Sequence, residues 1–164
     1  MAPSTDVTVI DPLIENKIVA DFYARLFPWI DHARAVRLCQ DDGGAGAVAL
    51  PDLCFYFLGG NDELRVEFKT WYPERGGHIG CTRKQGETWR PSVARGPHFW
   101  IAAERGSTEH YACWSHDDQD FQQAFQSSAL ERDVYRIRVP KPNLSLAAVF
   151  IQLMDSARER GMLT

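Results

Sequence analysis

An α/β fold with a central mixed sheet flanked by helices is what this 164-residue sequence predicts. Three observations carry that expectation: a helical apolar stripe near the N-terminus, an alternating hairpin between Asp52 and Trp71, and a capped amphipathic helix at the C-terminal end. At 45% hydrophobic composition the chain can close one well-buried core and is short for two independent ones. We therefore expect a loose lead-in at 1–10 and one domain over 11–164.

Asp11 and Pro12 form an N-cap and first-turn pair for a helix that runs to about Phe27 and is ended by Pro28. Ile18, Val19, Phe22 and Leu26 lie 3, 4, 7 and 11 positions after Glu15, so Glu15 sits within the apolar stripe. An acid there either meets a cation, a metal or a nearby rim, or simply favours the helix N-terminus and reaches water. For 31–39 the pattern leaves helix and strand open, and 41–46 is a turn-rich loop. Strands are expected near 52–58 and 63–71, separated by Gly59-Gly60-Asn61-Asp62, which is hairpin chemistry. The Pro/Gly-containing stretch 72–80 reads as loop, and 82–94 as an interrupted helix with Pro91 near its end. A buried strand at 98–104 has a hairpin partner at 111–114. A helix starting at 116–118 extends to about Glu131, a strand follows at 134–139, and Ser145 caps a last helix that Gly161 terminates.

The hairpin register is testable from the residues themselves. Symmetric pairing about Gly60-Asn61 sets Leu53 opposite Phe68, Phe55 opposite Val66 and Phe57 opposite Leu64, which makes one face wholly apolar and therefore buried. The other face then carries Asp52 opposite Lys69 and Cys54 opposite Glu67, with Asp52 and Glu67 diagonal neighbours beside Lys69. Two convergent carboxylates suit a hard divalent cation such as Mg²⁺. Such a cation polarises a phosphodiester oxygen, and a neighbouring lysine orients or deprotonates the attacking water, so the face has the parts for metal-assisted hydrolysis. The plainer alternative is a half-exposed hairpin whose cross-strand ion pairs contribute about 0.2–1 kcal/mol each. On that alternative the acidic-lysine face still looks onto solvent, and on the chemical one it borders a cleft open to substrate.

Formal net charge is −4, which argues against coating nucleic acid by charge alone, yet residues 65–105 hold eight basic side chains against four acidic ones. That tract, interleaved with Trp71, Tyr72, Trp89 and Trp100, fits either phosphate contact or an ordinary solvated surface over core aromatics. Cys39, Cys54, Cys81 and Cys113 match no zinc framework and are expected as buried free thiols. Among the histidines, His110 and His116 with Asp117 and Asp118 fit no metal signature, and loop or surface roles are expected. No basic-then-apolar leader and no stretch of about 20 apolar residues is present, so a soluble, cytoplasmic protein without membrane contact is expected.

Pro51-Asp52, followed after fourteen residues by Glu67-Phe68-Lys69, resembles the motif that names the PD-(D/E)xK nuclease-like (restriction-endonuclease-like) superfamily. The resemblance covers roughly residues 10 to 105 and implies a single restriction-endonuclease-like domain. It makes Asp52, Glu67 and Lys69 the catalytic set, with Asp52, Glu67 and the carbonyl of Phe68 as Mg²⁺ ligands, Mn²⁺ as a substitute, and Glu15 as an auxiliary ligand. Members commonly follow the motif with a helix carrying a basic or Gln residue, a place that Arg83, Lys84 and Gln85 would fill. Together with Arg65, Arg90 and Arg95, these are the expected nucleic-acid-binding residues. The implied activity is endonucleolytic hydrolysis of DNA, of restriction, repair or junction-cleaving type. One small domain with one site would cut both strands as a homodimer, and a recognition partner is compatible with it. The alternative on the same scaffold is a catalytically silent nucleic-acid- or protein-binding module.

Overall fold

The computed structural model describes Phe22, 24–31, 51–60, 62–92, Ala94, 96–107 and 109–163. Expectations for 1–21, 32–50 and Arg95, Glu15 among them, lie outside these residues. The first strand, β1 (Leu53–Phe55), pairs antiparallel with the long β2 (Leu64–Tyr72). Then come β3 (His78–Thr82), helix α1 (Arg83–Trp89), β4 (Phe99–Glu104), β5 (Tyr111–Ser115) and helix α2 (Gln119–Gln126). The chain closes with β6 (Leu130–Glu131), β7 (Val134–Arg138) and helix α3 (Leu146–Glu159). All strands join one seven-stranded mixed sheet in the order β5-β4-β2-β3-β7-β6, with β1 added beside β2. β2 and β4 run parallel, and the other pairings are antiparallel.

The two faces of the sheet are both covered, each by its own core. Leu53, Phe55, Phe57, Leu64, Val66 and Phe68 form one apolar face, as the alternation predicts. They pack against Phe22 and Leu26 from the N-terminal helical residues and against Val149, Leu153 and Ala157 of α3. Ser145 caps α3 by accepting from the Ala148 N–H, and Gly161, at φ 75°, lets the chain leave the helix in the left-handed region. On the opposite face Trp71, Ile79, Cys81, Trp100, Tyr135 and Ile137 pack against Trp89 of α1 and Phe121 and Phe125 of α2. Among the described residues no helix is long and apolar enough to cross a membrane.

Several local expectations are corrected. Residues 78–80, expected as loop, belong to a strand that runs to Thr82: Ile79 and Cys81 alternate inward, but Gly77 and Gly80 dilute the pattern. The helix from Asp118 stops at Gln126 instead of reaching Glu131. Beyond it, Arg132 and Asp133 both take positive φ (50° and 67°) and close a two-residue hairpin between β6 and β7, a turn that their side chains do not announce. Cys81 and Cys113 are buried free thiols, whereas Cys54 is disulfide-bonded, a covalent tie on the short strand β1.

The hairpin register is also shifted. Leu53 faces Val66, not Phe68, and Phe55 faces Leu64. The connection is not a tight turn, because Phe57 leaves β2 to bridge Ile30, and the Leu58 N–H donates to the Trp29 carbonyl. A slip of two positions keeps every side chain on its face and changes only its partner. Asp52 thereby comes opposite Glu67, with Lys69 one step further along.

α1 lies unusually close to the sheet because of Gly86. A Cβ there would stand 2.2 Å from the Tyr135 ring. Gly86→Ala is expected to lower stability by roughly 1–3 kcal/mol through overpacking, although Ala is the better helix former. A urea midpoint at or above that of the native chain would show that the ring yields freely.

Candidate active site

One edge of β2 is shared by two strands. β4 occupies the far edge from Val66 to Trp71, so β1, paired at 64–66, and β3, paired at 71–72, must both lie along the near edge. Between them β2 has no strand partner on that side. Asp52 fills the opening: its Oδ2 accepts from the Phe68 N–H at 2.8 Å, while its own N–H donates to Glu67 Oε1 at 3.2 Å. In a strand the N–H and C=O of one residue point to the same edge, so the Phe68 carbonyl opens into the same gap.

The side chains beside the gap form one network. Lys69 Nζ lies 3.2 Å from Glu67 Oε2 and donates to Gln85 Oε1 at 2.7 Å, and Gln85 Nε2 donates to Glu67 Oε2 at 3.1 Å. Gln85 is held by local sequence chemistry. Thr82 caps α1 and accepts from the Gln85 N–H, and the Gln85 side chain returns to the Thr82 N–H, which completes a capping box. The cap therefore orients the amide that bridges Lys69 and Glu67. Beneath the lysine, Nζ stands 5.9 Å from the centre of the Trp100 ring.

Burial controls the electrostatics. Glu67 is 2% exposed, and α1 covers the face on which it lies. The expected open cleft over that face is corrected accordingly: the polar residues of the hairpin are roofed by the helix that Gly86 brings close. Burial pushes the Glu67 carboxyl up to about 8, with Lys69 opposing the rise and Asp52 adding to it. Burial also raises Asp52, against the Phe68 N–H, Lys69 and a side-chain hydrogen bond with Glu67. Two carboxyls thus sit within hydrogen-bonding reach with one lysine between them and the solvent.

The other expected residues are dispersed. Arg65 donates from Nε to the Gly96 carbonyl and from Nη2 to that of Ala94, pinning the loop before β4. Arg83 pairs with Asp133 at 2.7 Å on the outer surface, and Lys84 is half-buried on α1. Arg90 donates to the Gln126 carbonyl and lies over the Tyr135 ring, tying α1 to α2. Arg95 and Glu15 lie outside the described residues. His116 is buried against Trp100, whose indole N–H donates to its Nδ1 at 2.8 Å, and burial lowers its pKa to about 4. Among the described residues no group of three or more His, Cys, Asp or Glu side chains is placed to hold a metal. The oxygens a hard cation would use here are two carboxylates and one main-chain carbonyl.

Sequence reasoning missed the cap at Thr82 and the Trp100 ring. The first was legible, since Thr82 followed three residues later by Gln85 is a capping-box pattern; the second depends on strand pairing across β2 and β4. A cavity of about 630 Å³ opens beside the site and is lined by Lys69, Thr70, Tyr72, His78, Thr82 and Arg136 among others. No protein-family model, no curated protein and no solved structure matches this chain.

Proposed function

We propose that the chain is a metal-dependent nuclease of restriction-endonuclease-like fold that hydrolyses phosphodiester bonds of DNA. The observation that carries this reading is the convergence of Asp52, Glu67, the Phe68 carbonyl and Lys69 on one interrupted strand edge. The donor set fits Mg²⁺: its oxygens are hard, and the burial that raises Glu67, with the smaller repulsion from Asp52, is the kind of charge penalty a cation relieves. A divalent cation bound there would supply Lewis-acid polarisation of the phosphodiester and a more acidic water.

The chain's own residues supply the rest. Asp52 and Glu67 orient the oxygens, and the Phe68 N–H fixes the Asp52 rotamer. Lys69, held by Gln85 and Glu67, places a positive charge and a proton donor where negative charge develops on the phosphate. Gln85 keeps the lysine in place and is a positioning residue.

The test is cleavage of plasmid and branched DNA with Mg²⁺ or Mn²⁺ by the native chain, Asp52→Asn, Glu67→Gln and Lys69→Ala. Each variant is expected to lose at least about 100-fold in rate while keeping its fold. Cleavage that survives all three changes would remove the assignment.

A second reading, a silent binding module, draws on one observation. Glu67 is almost wholly buried and already engaged by Asp52, Lys69 and Gln85, a closed arrangement that also serves as structure. DNA binding without cleavage in any divalent cation would favour it.

A further inference from the structure

The helices that cover the apolar hairpin face stop short of one end of the sheet. Their core takes in β1, β2, β4 and β5, and no side chain of β3 or β7 belongs to it. On that side the cross-strand pairs His78–Arg138, Gly80–Arg136 and Thr82–Val134 form a floor, with His78 buried against the Tyr72 ring and the others partly or fully exposed. The 630 Å³ cavity lies over this floor and continues towards a second, of about 280 Å³, that shares Arg75, His78 and Arg136 and adds Arg138.

The floor is positively charged in a chain whose formal net charge is −4. Arg75, Arg136 and Arg138 line the two cavities against Glu74 and Glu131, which meets both Arg75 and Arg136, while Lys69 borders the first cavity with its ammonium held by Glu67 and Gln85. Arg136 is set firmly: it donates to His78 Nε2 at 3.0 Å and to Glu131 at 2.8 Å. His78 Nδ1 lies 3.0 Å from the Glu74 carbonyl, which fixes the ring between the turn and Arg136. Arg75 and Arg138 are exposed, and Thr70 and Thr82 offer hydroxyls between them and the lysine. Guanidinium forks over an open, weakly curved sheet suit phosphate oxygens.

We propose that this partly exposed β3–β7 floor, with Arg75, Arg136 and Arg138, grips the phosphate backbone of a DNA strand and leads it to the gap in β2 beside Lys69. The inference rests on the nuclease reading for the destination of the strand, since Lys69 borders both the carboxylate network and the cavity. It moves the nucleic-acid contact away from α1 to a surface where Arg75 and Arg136 share Glu131.

The experiment is fluorescence anisotropy of a labelled DNA duplex and of its single strand, with Ca²⁺ replacing Mg²⁺ to prevent turnover. The double variant Arg75→Ala/Arg138→Ala keeps Arg136 with its bonds to His78 and Glu131, although Arg75 also meets Glu131. It is expected to bind about 10-fold more weakly and to reduce the salt slope by about 2, while Arg83→Ala/Lys84→Ala stays within about 2-fold of the native chain. Arg75→Lys/Arg138→Lys keeps the charge and is expected to recover most of the affinity, which separates charge from folding. Unchanged binding by the alanine pair overturns the surface, as does a native chain that binds no DNA. Native cleavage together with unchanged binding leaves the nuclease reading standing and removes only this floor. Floor-dependent binding without cleavage in Mg²⁺ or Mn²⁺ supports the floor and counts against the nuclease.

Discussion

Glu67→Gln is expected to flatten the dependence of stability on pH that the native chain shows between about pH 4.5 and 8. The folded state holds the Glu67 proton up to about 8, whereas an unfolded chain releases it near the ordinary value of 4.5. In that window the native state binds more protons than the unfolded one, so stability falls as pH rises. The contribution is fully present below 4.5 and is lost by about 8. Asp52, also raised by burial, adds a slope of the same sign beginning near 3.8. The total is on the order of a few kcal/mol, and a neutral amide of the same shape removes most of it. Urea midpoints measured from pH 5 to pH 9 on both proteins decide the matter. A native midpoint that does not move, or an equal slope in Glu67→Gln, would show that the carboxyl is better solvated than its position implies. On the nuclease reading, Mg²⁺ should restore stability at the alkaline end and release protons as it does so.

Trp100→Ala should be the most damaging single change in the core. Its ring is fully buried, meets Trp89 edge-on with centroids 5.4 Å apart, touches Phe121 and Phe125, and lies parallel to His116. Truncation leaves a cavity between β4, α1 and α2, deprives His116 Nδ1 of its donor and takes the aromatic surface from beneath Lys69. We expect a loss of about 3–5 kcal/mol by urea unfolding. Trp100→Phe should lose less, since it keeps most of the packing while giving up the same hydrogen bond. A loss below about 1 kcal/mol for the alanine variant would mean that α2 collapses into the space.

The alternation of Leu53, Phe55, Phe57, Leu64, Val66 and Phe68 made the buried face of the hairpin legible, because a period of two is set by the backbone itself. The register was not, because Ile30, distant in sequence, captures Phe57 and lengthens the connection. Since the slip was even, Asp52, Glu67 and Lys69 stayed on the same side, and their grouping was legible while their pairing was not. Gln85 could be placed on a helix after the motif, but its bonds to Lys69 and Glu67 depend on how closely α1 approaches. That approach is decided by Gly86 against Tyr135, a contact between residues 49 apart. Strand β3 escaped notice because Gly77 precedes it and Gly80 interrupts it, although β7 pairs it along its whole length and β2 at its start.

The break along β2 also bears on how such a sheet avoids self-association. Bare main-chain groups normally invite another extended chain, and outer strands need guarding for that reason. Here the bare stretch, 67–70, lies inside the sheet, bracketed by β1 and β3 and partly filled by Asp52. It is too short to seed a ladder. Polar backbone atoms can therefore stay available to a small visitor without becoming a template for aggregation.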